Sequence, residues 1–192
     1  MNISTDFNLI TKLTAKKMKV IVFAAALLVC SLNAVAQNAD SFYSEVAYSS
    51  IKIKDVSSSS VGAVKPAIAR FTIGGVMVDN LALEGFVAQS LKSDSVYVNG
   101  LNDTVTVKAY YGIALRPFVN LSDKFELYGR LGSAQVKYED YYGKFGNSHL
   151  LYGIGLGYKP KENLKFVADY TQLSTYDETK SSLITVGMRL GF

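Results

Sequence analysis

The side chains able to do chemistry are few. The chain of 192 residues holds a single histidine, His149, and a single cysteine, Cys30. His149 follows Ser148, and an imidazole beside a hydroxyl could act as base and nucleophile in a lipid hydrolase or acyltransferase. In a strand, however, neighbouring residues point to opposite faces, so the two groups could not reach each other. A rim histidine without a catalytic role is the better reading. No spacing of His, Cys, Asp and Glu suggests a metal. Gly153-x-Gly155-x-Gly157 lacks the following helix that a nucleotide loop requires, and reads instead as room for neighbouring side chains. What remains is a set of charges: Arg70, Glu84, Lys108, Arg116, Glu126, Arg130, Asp169 and Arg189. No catalytic residue, cofactor or metal ligand is expected.

Charges dispersed in this way need elements that gather them. Hydrophobic residues make up 49% and charged ones only 19%, which excludes a disordered chain. The length is too short for more than one ordinary domain. Aromatics are mostly Tyr (13) and Phe (10), with 15 Gly and no Trp, a composition that favours a β-rich domain over a helical enzyme.

The N-terminus reads as an export signal. Lys12, Lys16, Lys17 and Lys19 precede the apolar run Val20–Cys30 and the small-x-small site Ala34-Val35-Ala36. Eleven apolar residues are too few to span a bilayer as a helix, which needs about 20. Met18 is an alternative start, since Met18-Lys19 would open a complete signal. Cys30 raises the alternative of a lipidated N-terminus, but Val29 is larger than that processing favours. The expected division is a signal peptide over 1–36, cleaved after about Ala36, and one domain over 37–192. Cleavage removes four lysines and Asp6, leaving 16 basic and 15 acidic residues. The sequence pI near 9 is therefore no argument for nucleic acid. No cysteine remains, so no disulfide framework is expected.

Past the signal, alternation with period two recurs eight times, and that is the pattern of strands. The clearest runs are Thr104–Asn120, Lys124–Lys137, Ser148–Tyr158 and the last segment, with Ile184, Val186, Met188, Leu190 and Phe192 on one face. Pro66–Val78, Leu81–Gln89 and Leu164–Leu173 are less clean. Phe42–Lys54 is long enough for a strand, but its faces are ambiguous. Connections alternate between short turns, at Val78–Asn80, Asn120–Asp123 and Lys159–Asn163, and longer polar loops at 55–65, 91–103, 139–147 and 174–180. Short at one end and long at the other is the mark of an up-and-down barrel with both termini on the short-turn side.

The two faces decide what the barrel meets. A water-exposed outer surface would carry many Lys, Glu and Thr on the polar face. Here that face carries Gly112, Ala114, Gly153, Gly155, Gly157, Gly187 and Gly191, as a crowded interior requires. The apolar face runs for about ten residues without charge, as lipid demands. Phe125, Tyr158, Phe166 and Phe192 cluster near the short turns, where an aromatic girdle would sit. The fold expected is all-β: an eight-stranded antiparallel up-and-down transmembrane barrel in a bacterial outer membrane.

Several stretches carry a family likeness: Leu81-Ala-Leu-Glu84-Gly-Phe86, Tyr128-Gly-Arg130-Leu-Gly132, Leu151-Tyr-Gly-Ile-Gly-Leu-Gly-Tyr158 and the C-terminal Met188-Arg-Leu-Gly-Phe192. Over nearly all of 41–192 the chain resembles the small outer-membrane β-barrels of the opacity-protein and outer-membrane-protein-A type. The resemblance implies outer-membrane lipids and lipopolysaccharide as surroundings. It implies that the outer-membrane assembly machinery reads Met188, Leu190 and Phe192. It also implies a structural or surface-interaction role, with a host or surface ligand met through the long loops. Nothing resembles the periplasmic peptidoglycan-binding domain of some relatives.

A narrow passive pore is the alternative function, because the inward charges could line a channel. Eight strands leave room only for side chains or one small ligand, which favours a filled polar core. A monomer is expected. Two ion pairs should help plug it: Arg116–Glu126, with Glu126 near Phe118 and diagonal to Arg116, and Asp169–Arg189 across the final hairpin.

Overall fold

The computed structural model describes residues 42–55, 63–98, 101–140, 143–176 and 179–192. The expected signal peptide over 1–36, its cleavage site and Cys30 lie outside them. The described residues are almost entirely strand: β1 (Phe42–Asp55), β2 (Ala67–Val78), β3 (Leu81–Lys92), β4 (Asp94–Val98), β5 (Leu101–Asn120), β6 (Phe125–Asp140), β7 (Gly143–Lys161), β8 (Leu164–Tyr176) and β9 (Thr179–Gly191). Consecutive strands pair antiparallel except β3 with β4, β9 returns to β1, and β3 pairs with β5. The sheet closes as eight staves. β3 and β4 are one stave interrupted at Ser93, and both pair with β5. Closure removes every edge within the wall, which a backbone in lipid requires.

The short connections are tight. Asp79 and Asn80 form the first turn, where Asn80 takes φ 65°, a conformation asparagine tolerates. The second turn is held by Leu121 N–H donating to the Phe125 carbonyl (2.8 Å). That turn sets Glu126 opposite Asn120, not beside Phe118 as the sequence suggested. The start of β1 and the residue after β9 meet at the same side: Phe192 N–H donates to the Phe42 carbonyl (2.9 Å) and Phe42 N–H to the Phe192 carbonyl (3.3 Å).

At the other end the strands run further than the sequence indicated. Much of 91–103 is a hairpin, with Asp94 opposite Val105 and Val98 opposite Leu101. β6 and β7 stay paired to Asp140↔Gly143, and β8 and β9 to Tyr176↔Thr179. Apolar alternation marks a strand only where one face meets lipid. Beyond that belt no lipid selects an apolar face, so paired backbone there leaves no apolar signature. Residues 56–62, 99–100, 141–142 and 177–178 lie outside the described residues.

Burial alternates along each stave. Val46, Ile113, Leu131, Ile154, Leu156, Ile184 and Val186 project outward, exposed, while their neighbours are buried inside. Phe125 and Tyr158 sit 5.3 Å apart, ring to ring, near the short turns. This apolar wall around a buried interior is the reverse of a soluble barrel.

Candidate functional site

The interior is built in two layers, and the half toward the short turns holds the charges. β1 brings Glu45, β2 Arg70, β3 Glu84, β5 Arg116, β6 Glu126 and Arg130, β8 Asp169, and β9 Arg189, all buried. Glu45 accepts from Arg70 (2.9 Å) and from Arg189 (2.7 Å), its register partner across the β1–β9 seam. Arg130 Nε lies 2.7 Å from Glu84, and Arg130 Nη1 lies 3.3 Å from Asp169. Asp169 also accepts from Arg70 (3.0 Å) and from the Thr171 hydroxyl (3.1 Å). Arg116 pairs with Glu126, which also accepts from Lys165 (2.7 Å). Four guanidiniums thus face four carboxylates, and the layer is close to neutral before the half-open Lys165 is added.

Two tyrosines pin the arginines in place. The Tyr43 hydroxyl donates to Glu84 (2.7 Å), and its ring lies 4.1 Å from the Arg189 guanidinium. Tyr128 lies 4.0 Å beneath Arg116 and donates to Asp169 (3.3 Å). Both contacts are cation–π stacks that a planar guanidinium makes and an ammonium makes less well. β7 contributes no charge to this layer but supplies the space: a Cβ on Gly155 would stand in the Tyr128 ring, and one on Gly157 would meet Glu126 at 3.4 Å.

The second layer, toward the long connections, is apolar. Ile51, Ile68, Phe86, Val107, Tyr110, Val136, Leu151, Leu173 and Leu183 are buried together, and every one of the eight staves contributes a side chain. Phe86 and Tyr110 lie 5.0 Å apart, ring to ring. On the short-turn side of the charges is an open vestibule of about 1000 Å³, floored by Arg116, Glu126, Lys165 and Arg189.

Seven of the eight charges expected inside are there. Lys108 is not: it is exposed and pairs with Glu139 at 2.9 Å. Its register skips at a bulge between Val107 and Ala109. One extra residue inverts the alternation beyond it, so Val107 takes the buried position that parity assigned to Lys108. The Asp169–Arg189 pair is replaced. Asp169 lies opposite Thr185, four residues from Arg189, and Arg70 and Arg130 reach it across the lumen instead. Arg189 is held by Glu45 and Glu84.

Sequence reasoning missed Glu45, which belongs to the strand of ambiguous faces. The closure of β1 on β9 was the signal available, since it sets Glu45 against Arg189. It also missed the apolar layer, whose residues were read only as members of faces. Ser148 points outward, while His149 is buried with Nδ1 2.9 Å from the Ser174 carbonyl oxygen, so they do not form a catalytic pair. Met188 and Leu190 stand outward, exposed, beside the seam.

Comparison with known proteins adds a family. A family model described as an outer membrane protein β-barrel domain matches residues 22–192. Among solved structures, the chain is similar to Ail, the attachment invasion locus protein of Yersinia pestis, in complex with the heparin analogue sucrose octasulfate. That match has TM-score 0.57 and 20% identity, and covers 80% of this chain and 99% of that one. Neisserial surface protein A matches with TM-score 0.55 and 15% identity, over 79% of this chain and 97% of that one. OprG of Pseudomonas aeruginosa matches with TM-score 0.53 and 12% identity, over 81% and 97%. At these identities the likeness is one of fold. No curated protein sequence matches the chain.

Proposed function

The chain belongs to the outer-membrane β-barrel family and is an integral protein of the bacterial outer membrane, and from that premise we propose that it works as a closed structural and surface-interaction barrel. The observation that carries this is the doubly filled lumen. A polar layer of interlocked arginines and carboxylates lies in series with an apolar layer drawn from all eight staves. A passive pore would need a water path through both. Function then lies on the outside, where lipid, lipopolysaccharide and other surfaces meet the wall and its outer extensions.

At the end with long connections, Lys52, Lys65, Lys92, Lys137 and Lys180 are exposed. Ail is recorded in complex with a heparin analogue, sucrose octasulfate. By that likeness, the lysines suit phosphate or sulfate groups, on lipopolysaccharide or on host polysaccharide. Any loop contacts through 55–65, 91–103, 139–147 and 174–180 belong to the same reading. The signal peptide over 1–36 directs export, and Met188, Leu190 and Phe192 are the residues offered to the assembly machinery. The barrel acts as a monomer, without a catalytic step, cofactor or nucleic acid. The test is planar-bilayer conductance of the refolded protein: no stable channel is expected, and steady openings would overturn the reading.

A further inference from the structure

The outer wall is dented where β5, β6 and β7 run together. Pairing of β5 with β6 proceeds to Leu115↔Leu131, is interrupted, and resumes in the same register at Phe118↔Tyr128. That register sets Pro117 opposite Gly129. The Phe118 N–H turns toward the β3 side, donating to the Asn80 carbonyl (2.8 Å), so the alternate position at 117 would donate to β6. Proline has no N–H to donate. Gly129 has no side chain to cover the place, and the nearest atom to where its Cβ would stand is Cγ of Pro117, 3.4 Å away. The result is a hollow of about 380 Å³ on the outside of the barrel, bordered by Pro117, Leu131, Tyr152, Ile154 and Tyr170.

We propose that this hollow seats an acyl chain of a phospholipid from the periplasmic leaflet. The proposal rests on the outer-membrane placement and is independent of whether the lumen conducts. The borders of the hollow belong to the lipid-facing wall, where Leu131 and Ile154 are more than half exposed. An empty apolar recess forfeits dispersion contacts, and a flexible hydrocarbon chain can follow its shape.

Height selects the leaflet. Pro117 is three residues from the end of β5 at Asn120, and Gly129 four from the start of β6 at Phe125. That end carries the short turns and the junction of Phe42 with Phe192, the periplasmic side of such barrels. Phospholipid, not lipopolysaccharide, fills the leaflet there. At the same side, Lys124 stands just before β6 and Lys159 near the end of β7, joined by Lys159 N–H donating to the Lys124 carbonyl (2.8 Å). Lys124 is about 17 Å along β6 from Gly129, so a phosphate near these ammonium groups leaves its acyl chain running up to the hollow.

The test compares the wild type with Gly129→Leu, which fills the hollow, and with Gly85→Leu. Gly85 is a second outward glycine, one with open space around it. Each protein, refolded in detergent, is titrated with phosphatidylethanolamine and read by native mass spectrometry. The wild type and Gly85→Leu should retain one phospholipid that Gly129→Leu binds about tenfold more weakly. Equal retention by all three overturns the proposal, and so does displacement of the bound lipid by an equal concentration of lipopolysaccharide. A measurement on the unaltered chain removes dependence on the variant's folding. In nanodiscs containing phospholipid nitroxide-labelled along its acyl chain, the Gly129 and Ile154 amide signals should broaden more than that of Gly85. Uniform broadening overturns the assignment.

Discussion

Three arginines converge on Glu45: Arg70 at 2.9 Å, Arg189 at 2.7 Å and Arg130 at 3.5 Å. Its removal leaves guanidiniums facing one another in a space without bulk water, so the loss is mostly the penalty of unpaired buried charge. Glu45→Ala should therefore destabilise the barrel by about 3–5 kcal/mol, read by urea unfolding in lipid vesicles. Lys108→Ala, which breaks only the exposed pair with Glu139, should change stability by no more than about 1 kcal/mol in the same assay. Comparable losses for the two would mean the lumen is wetter than its burial indicates. The division of labour between cations is complete: all four arginines of the sequence lie in the lumen, and every exposed cation is a lysine. Planar guanidiniums bridge two carboxylates while stacking on Tyr43 or Tyr128, which a point-charge ammonium does less well.

Among the elements, the strands that face lipid were legible because lipid on one side and packed charge on the other impose period two. β6, β7 and β9 follow their sequence alternation with buried residues on one parity throughout the membrane belt. β5 departs from it at Lys108, because nothing in a run of Thr, Val and Lys announces a bulge. The bulge falls near the break between β3 and β4, where Ser93 and Thr106 share a hydrogen bond of 2.7 Å. β4 itself was read as loop, since Asp94–Val98 is a run of five residues too short to set a period against the polar residues on either side of it in sequence. Its tie to the preceding connection can be tested. Asp94 accepts from Lys65 N–H (2.7 Å) and Ser95 N–H (3.0 Å), and these bonds, that from Lys65 foremost, hold its carboxyl below the usual aspartate range. A carboxylate with a lowered pKa stabilises its contacts above the unfolded value, and loses them as pH falls through the folded one. The Lys65 and Ser95 amide resonances should therefore shift together at a pH below the usual aspartate range, and Asp94→Ala should abolish the transition. A midpoint in the ordinary range would show that the tie does not form.

At the scale of the whole molecule, the inward charges could be listed from sequence, but the order in which they pair could not. Pairing depends on which staves face one another across a closed lumen, and only closure brings Arg70 of β2 to Asp169 of β8. The same closure stacks the two layers in series, and this decides what a single substitution does. Glu126→Ala should weaken the polar layer, because Arg116 loses its partner there and Lys165 its acceptor. Thermal stability should fall, yet no steady conductance should follow, since Ile51, Ile68, Phe86, Tyr110, Leu151, Leu173 and Leu183 still fill the lumen beyond. Removing the stacked pair by Phe86→Ala and Tyr110→Ala should likewise leave the bilayer silent, with the arginines and carboxylates intact behind it. Only the triple variant, lacking Glu126, Phe86 and Tyr110, should admit ions, because a path must cross both layers. Each variant can be refolded and recorded in planar bilayers under the same voltage. Steady openings from Glu126→Ala alone would show that the apolar layer is no barrier, and that the polar layer by itself closes the barrel.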